Sequence, residues 1–145
     1  MHVVHHPPPA RQFVLPLRVY YEDTDAAGVV YYANYFKFCE RARTEWLRAV
    51  GFSNSTLLQE RGLAFVVRAV KGDFLAPAAL DDALQVVSTL DKLGGASLIF
   101  GQRVMRGEEL LFDAQIVIAC IDLAARRPSP IPADVKQQLQ ALIEP

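Results

Sequence analysis

Hydrophobic and polar positions change their period twice in the first third of the chain. Leu15, Leu17, Val19 and Tyr21 share one parity, and Arg18, Tyr20 and Glu22 share the other. A period of two with one polar face predicts a half-buried strand. From Asn34 the period lengthens. Tyr35, Cys39, Ala42, Trp46 and Ala49 or Val50 fall at i, i+4, i+7 and i+11, which is one face of a helix of roughly four turns. Asn34 is placed to cap this helix and Gly51 to end it. Arg41 with Glu45, and Thr44 with Arg48, are spaced to pair along its polar side. Ser53 to Arg61 reads as a second, shorter helix, capped by Ser53 and stopped by Gly62.

Four strands are expected next, over 63–75, 83–92, 97–106 and 110–122. Pro77, Gly94-Gly95 and Gly107-Glu108 punctuate them. Beyond them Pro128, Pro130 and Pro132 argue against regular pairing. Ala133 to Ile143 has the pattern of a last helix, with Val135, Leu139, Leu142 and Ile143 on its apolar side. The order β–α–α–β–β–β–β–α, joined by short turns, implies an antiparallel sheet and an α+β fold. One long helix is expected to pack on the sheet's apolar face. Residues 1–14, with Pro7 to Pro9, read as a flexible tail, and 15–145 as a single domain.

Composition narrows the function. The chain has 145 residues, enough for one core, and 52% of them are apolar. Fifteen basic residues against 16 acidic ones give a net charge of −1, so the basic excess of a nucleic-acid binder is absent. No apolar run approaches the length of a membrane span, and the first residues lack a secretory signal's apolar region. Cys39 and Cys120 are too few for a disulfide framework. A soluble, reducing, cytoplasmic setting is the expectation.

Elimination narrows the chemistry. All three histidines lie in residues 2 to 6, so no catalytic triad has a histidine within the expected domain. There is no G-x-S-x-G elbow, no phosphate-binding glycine loop and no cluster with zinc spacing. No metal or cofactor is expected. Cys39 and Cys120 sit at apolar positions and read as small buried hydrophobes. Carboxylates remain as acid, base or nucleophile. Asp73, Asp81 and Asp82 read as solvated residues at strand ends and turns. Glu22, Asp23 and Asp25 lie on a loop between a strand and a helix start, followed by Ala26-Ala27-Gly28 and by Tyr31 and Tyr32. Small residues admit a ligand close to backbone. Free N–H groups of the first helical turn, around Val30 to Asn34, are able to hold a developing oxyanion. An acyl-transfer site is one reading, and turn-making or capping by Asp23 and Asp25 is the other. Parity sets Asp23 inward as loop support and Glu22 outward, whereas Asp25 falls beyond the strand beside the helix start.

The segment V-Y-Y-E-D-T-D-A-A-G-V-V-Y-Y-A-N-Y, followed by E-R-A-R-T-E-W-L-R, closely resembles the Tol–Pal-associated acyl-CoA thioesterases of Gram-negative bacteria. These belong to the 4-hydroxybenzoyl-CoA thioesterase family of the hotdog fold. A-F-V-V-R, L-D-D-A-L and G-A-S-L-I-F-G-Q-R continue the resemblance, which runs from about residue 17 to residue 132. It implies a five-stranded antiparallel sheet wrapped round a central helix, and hydrolysis of acyl-CoA, or acyl carrier protein thioesters, with no cofactor. It assigns catalysis to Asp25, as nucleophile or general base, and to the backbone N–H of Tyr32. It places Asp23, Gly28, Val29, Tyr31 and Phe65 at the substrate. It also implies a dimer or tetramer with shared sites, in which the partner chain supplies CoA contacts from Lys92, Gly94, Gly95 and Ser97. Many members carry histidine where Tyr32 stands, and tyrosine is similar to the 4-hydroxybenzoyl-CoA enzymes, so short aliphatic and aromatic acyl groups both remain open. A hotdog dehydratase would use a histidine, which the expected domain lacks. The remaining alternative is a non-catalytic acyl-thioester-binding or envelope-complex interaction protein.

Overall fold

The change of period at Asn34 marks the element around which the chain is built. The computed structural model describes residues 11–143. In chain order these form β1 (Gln12–Arg18), a 3-10 turn (Tyr21–Asp23), α1 (Asn34–Ala49), α2 (Asn54–Arg61), β2 (Leu63–Phe74), β3 (Ala83–Leu93), β4 (Ser97–Arg106), β5 (Glu109–Asp122), β6 (Arg127–Pro128) and α3 (Ala133–Ile143). The strands lie in the order β1-β3-β4-β5-β2, and every neighbouring pair is antiparallel. The two residues of β6 add a short rung beside Ile121 and Asp122. This is the α+β arrangement expected, a sheet curled round one long helix.

Alternation explains which face of the sheet meets α1. On β3 and β4 every second residue is buried, Leu84, Val86, Ser88 and Leu90 on one and Leu98, Phe100, Gln102 and Val104 on the other. Against them α1 presents Tyr35, Phe38, Cys39, Ala42, Trp46 and Leu47. Fully burying one large apolar side chain such as Phe38 contributes about 1.5–3 kcal/mol, so this interface contributes heavily to stability. Gly51, at φ +101, takes the left-handed conformation that ends α1.

The register gives the sheet two distinct ends. Arg18 lies opposite Ala83, Arg106 opposite Glu109, and Phe74 opposite Phe112. At the other end Leu93 meets Leu98, Ser97 meets Ala119, and Leu63 meets Asp122. β1 and β2 are the edges. On β2, Val66, Val67 and Val70 stay substantially exposed.

The structure departs from the sequence expectations at several points. β1 begins at Gln12, three residues early, because Phe13 stacks on Trp46 with ring centroids 5.9 Å apart. The rest of the expected tail, residues 1–10, lies outside the described residues. Strand parity fails after Val19: the chain turns there, and Tyr21 is 82% exposed. Pro128 does pair, in a rung of two residues. The polar side of α1 carries Arg48 with Glu45, Thr44 with Glu40, and Arg41 over the Phe38 ring, instead of the pairs expected from spacing. Among the described residues no helix is long and apolar enough to cross a membrane.

A bidentate ion pair ties α3 to α2. Arg61 reaches both carboxylate oxygens of Asp134, at 2.7 and 2.6 Å. The Arg61 hydrogen bond is the main cause that lowers the Asp134 carboxyl to about 2. An unfolded aspartate titrates near ~3.9. The link therefore contributes fully above the unfolded value and is lost as pH falls through the folded one. Denaturant melts of the protein should show a loss of stability between about pH 4 and about pH 2 that Asp134→Asn lacks. Identical acid limbs would show that the pair contributes nothing.

Candidate active site

The loop between β1 and α1 is built on a buried acid. Asp23 is 7% exposed. Its Oδ2 accepts the Tyr20 N–H at 2.8 Å. Its carbonyl accepts the Tyr31 N–H at 2.9 Å and the Asn34 side-chain amide at 2.8 Å. Asn34 therefore does not cap α1. Ala33 holds that position without a side-chain bond. Asn34 fixes the loop to the helix instead, because its buried amide finds its acceptor in the Asp23 carbonyl. Asn34→Ala should cost about 1–2 kcal/mol, since a buried hydrogen bond is lost and the loop carbonyl loses a donor. Denaturant unfolding measures the loss, and hydrogen exchange should report faster opening at Tyr31. Unchanged stability and exchange would remove Asn34 from this role.

Asp25 lies two residues further, at the exposed tip. Its Oδ1 accepts the Ala27 N–H at 2.9 Å, its carbonyl accepts the Gly28 N–H at 3.0 Å, and its own N–H donates to the Val29 carbonyl at 2.9 Å. Gly28, at φ +80, closes this turn in a conformation that side chains disfavour. Bridges from Thr24 to Val30 and from Val29 to Ala79 tie both limbs down. The turn-making reading of Asp25 is thus satisfied by one carboxylate oxygen. Oδ2 has no protein partner among the described residues and faces solvent on a fixed turn.

The helix start, which follows on the same segment, offers donors. The N–H groups of Val30, Tyr31 and Asn34 are occupied by Ala78, Asp23 and Tyr31 carbonyls. Those of Tyr32 and Ala33 have no acceptor among the described residues. Both sit at the N-terminal, partly positive end of a 16-residue helix, where an anion is favoured. A carboxylate oxygen and unpaired N–H groups on one short segment are the parts an acyl-transfer site needs.

Aromatic rings wall the place. Tyr31 and Tyr32 pack at 4.9 Å, and the neighbouring Tyr32 hydroxyl raises the Tyr31 hydroxyl above its ordinary value. Tyr32 meets the Phe74 ring edge-on at 6.0 Å, and Phe74 continues to Phe36 at 6.1 Å and Phe112 at 4.8 Å. Phe74, at the end of β2, was not singled out from the sequence. Its place beside the loop becomes visible only through the pairing of β2 with β5.

Asp82 is also more than a solvated turn residue. Its Oδ2 accepts the Ala79 N–H at 2.8 Å and the Arg106 guanidinium at 2.7 Å. The Ala79 N–H first, then Arg106, hold it below the usual carboxylate range. Its carbonyl accepts the Val19 N–H, so this corner braces the acidic loop from below. The cysteines are inert here: burial pushes the Cys39 thiol up to about 12 and raises Cys120 as well.

The remaining expected site residues lie elsewhere. Phe65 is near the start of β2, and Lys92, Gly94, Gly95 and Ser97 form the β3–β4 turn, at the sheet's opposite end. Phe65 and Phe74 are nine residues apart on one strand, about 30 Å at strand rise. The structure brings together Asp23, Asp25, Gly28, Val29, Tyr31 and Tyr32, and it separates them from Phe65 and the turn. A cavity of about 130 Å³ is also at that far end. Trp46, Phe65, Phe100, Leu139 and Leu142 line it, with Arg43.

Comparison with known proteins agrees with this architecture. The pattern of the thioesterase-like superfamily matches residues 19–139. The chain is similar to the acyl-CoA thioesterase YbgC of Haemophilus influenzae, 48% identical over 86% of this chain and 91% of that one. It is similar to the acyl-CoA thioester hydrolase YbgC of Escherichia coli, 46% identical over 85% of this chain and 92% of that one. Among solved structures, a 1,4-dihydroxy-2-naphthoyl-CoA thioesterase from Synechocystis superposes with a TM-score of 0.80 at 30% identity, covering 91% of this chain and 95% of that one.

Proposed function

The chain belongs to the thioesterase-like superfamily of the hotdog fold and is an acyl-CoA thioester hydrolase, and from that premise we propose that Asp25 carries the hydrolysis. The observation that supports this most is the Asp25 carboxylate. One oxygen is fixed by the Ala27 N–H, the other is free, and the unpaired Tyr32 and Ala33 N–H groups follow on the same short segment. The thioester carbonyl oxygen sits on the Tyr32 N–H, which draws electrons from the carbonyl carbon. Asp25 attacks that carbon to give an acyl–aspartyl anhydride that water then cleaves, or it takes a proton from a water that attacks directly. The C–S bond breaks, CoA leaves as its thiolate, and the acyl carbon gains the hydroxyl of the free acid. Asp23 and Asn34 hold the loop. The rings of Tyr31, Tyr32 and Phe74 wall a small acyl group, aliphatic or aromatic.

The working unit is a homo-oligomer, a dimer or a tetramer of dimers. The open β2 edge supports this, because an exposed edge with Val66, Val67 and Val70 is a template for pairing. Antiparallel pairing of two β2 strands centred on Ala69 and Val70 reverses one copy against the other. The Phe74 end of one chain, with its Asp25 loop, then meets the Phe65 end of its partner. Phe65 and the Lys92–Ser97 turn serve the partner's Asp25, with the turn holding CoA or the arm of acyl carrier protein. The two free, buried cysteines suit a reducing compartment, and the cytoplasm is the proposed place of action. The test is thiol release from a panel of acyl-CoAs by the purified protein. Tight binding without release across the panel would instead favour a non-catalytic binding protein.

A further inference from the structure

Arg43 is the one α1 cation held inward by a core residue. It donates to Gln102 Oε1 at 2.8 Å. Gln102 is fully buried, and its own amide donates to the Cys39 carbonyl at 2.9 Å and to Ser88 Oγ at 2.8 Å. Helix and sheet together therefore fix the direction of the guanidinium. Arg43 has five N–H donors. Among the described residues one bond to Gln102 uses one of them, and no carboxylate lies within ion-pair distance. Burial is the main cause that lowers its affinity for a proton, opposed by the nearby Cys39 and Glu40. Glu40 shares the cavity wall, but it is exposed and takes the Thr44 hydroxyl at 3.0 Å. Thr44 and Asn54 add polar groups, and the remaining walls are apolar, Trp46, Phe65 and Leu142 among them.

A guanidinium with one neutral hydrogen-bond partner and no ion pair, on a mostly apolar wall, selects a particular ligand. Its complement is a carboxylate on a short apolar body, which supplies the missing charge and fills the cavity. We propose that Arg43 is a specificity-determining residue, and that the enzyme favours acyl groups whose far end is a carboxylate over plain alkyl groups of equal length. This rests on the hydrolase reading and on the partner's thioester reaching this cavity.

Glutaryl-CoA and valeryl-CoA have acyl groups of equal carbon number and differ at the far end. The first readout is the ratio of their kcat/KM values in the oligomeric protein, wild type against Arg43→Met. The second is emission from Trp46, the chain's single tryptophan and a wall of the cavity, on adding free glutarate or valerate. The wild type should prefer glutaryl-CoA by about tenfold, the order expected for charge-assisted hydrogen bonds, and Arg43→Met should erase that preference. Arg43→Lys, which keeps a charge, should retain part of it. Glutarate should perturb Trp46 at lower concentration than valerate only while Arg43 is present. A ratio that Arg43→Met leaves unchanged, in a folded variant, overturns the inference even if glutarate binds, because the site then holds free carboxylates and does not read the substrate. If neither thioester is cleaved while Arg43-dependent glutarate binding persists, the hydrolase reading fails and the carboxylate preference of Arg43 stands.

Discussion

Asp25→Asn should lower kcat for acyl-CoA hydrolysis by about 10²–10⁴-fold, the range lost when a positioned acid or base is removed. The fold should survive, because the side chain is exposed and contributes a single bond, from the Ala27 N–H to Oδ1. Asparagine retains that acceptor, so the turn closed by Gly28 is kept. What disappears is the charge on the second oxygen. Binding of acyl-CoA should persist, since the rings of Tyr31, Tyr32 and Phe74 are untouched. A folded Asp25→Asn protein with full turnover would move the chemistry to another group. Among the nearby acids, Asp23 and Asp82 are committed to loop hydrogen bonds, which makes either a poor substitute.

Much of this arrangement was legible in the sequence wherever local pattern and tertiary environment agree. β4 runs over the segment expected from its alternation, from Ser97 to Arg106, because its inward residues are buried in the core shared with α1 and each turn is set by glycine. The buried face of α1 follows from spacing for the same reason. Legibility fails where a long-range contact decides. Phe13 joins β1 because of Trp46, 33 positions away, which no window around residue 13 contains. Asn34 has the composition of a cap, yet its amide is drawn to the Asp23 carbonyl by the return of the loop. Asp23 is inward, as parity expects, but through a 3-10 turn, whereas Tyr21, of the same parity, is expelled to solvent. Phe74 and Asp82 reach the site through strand pairing and a corner, which alternation alone cannot register. The split of the expected site residues between two ends of the sheet needs the strand order as well.

That split leads to the second large effect. Phe65→Glu should also abolish hydrolysis, because it puts a charge into an apolar wall about 30 Å along β2 from the chain's own Phe74. Phe65 packs against the core, so in a variant shown to stay folded a defect so far away acts through the neighbouring copy. The two inactive variants then carry complementary lesions. In a mixed dimer, one site combines Asp25 of the Phe65→Glu chain with Phe65 of the Asp25→Asn chain, and is whole. The other site carries both lesions.

The direct test is to co-express the two variants with different affinity tags, isolate the mixed dimers through both tags, and measure thiol release. A site shared between chains predicts activity restored to about half that of the wild-type dimer, one intact site of two. Mixed dimers as inactive as either parent would contradict the account, because a site contained within one chain is broken in both partners.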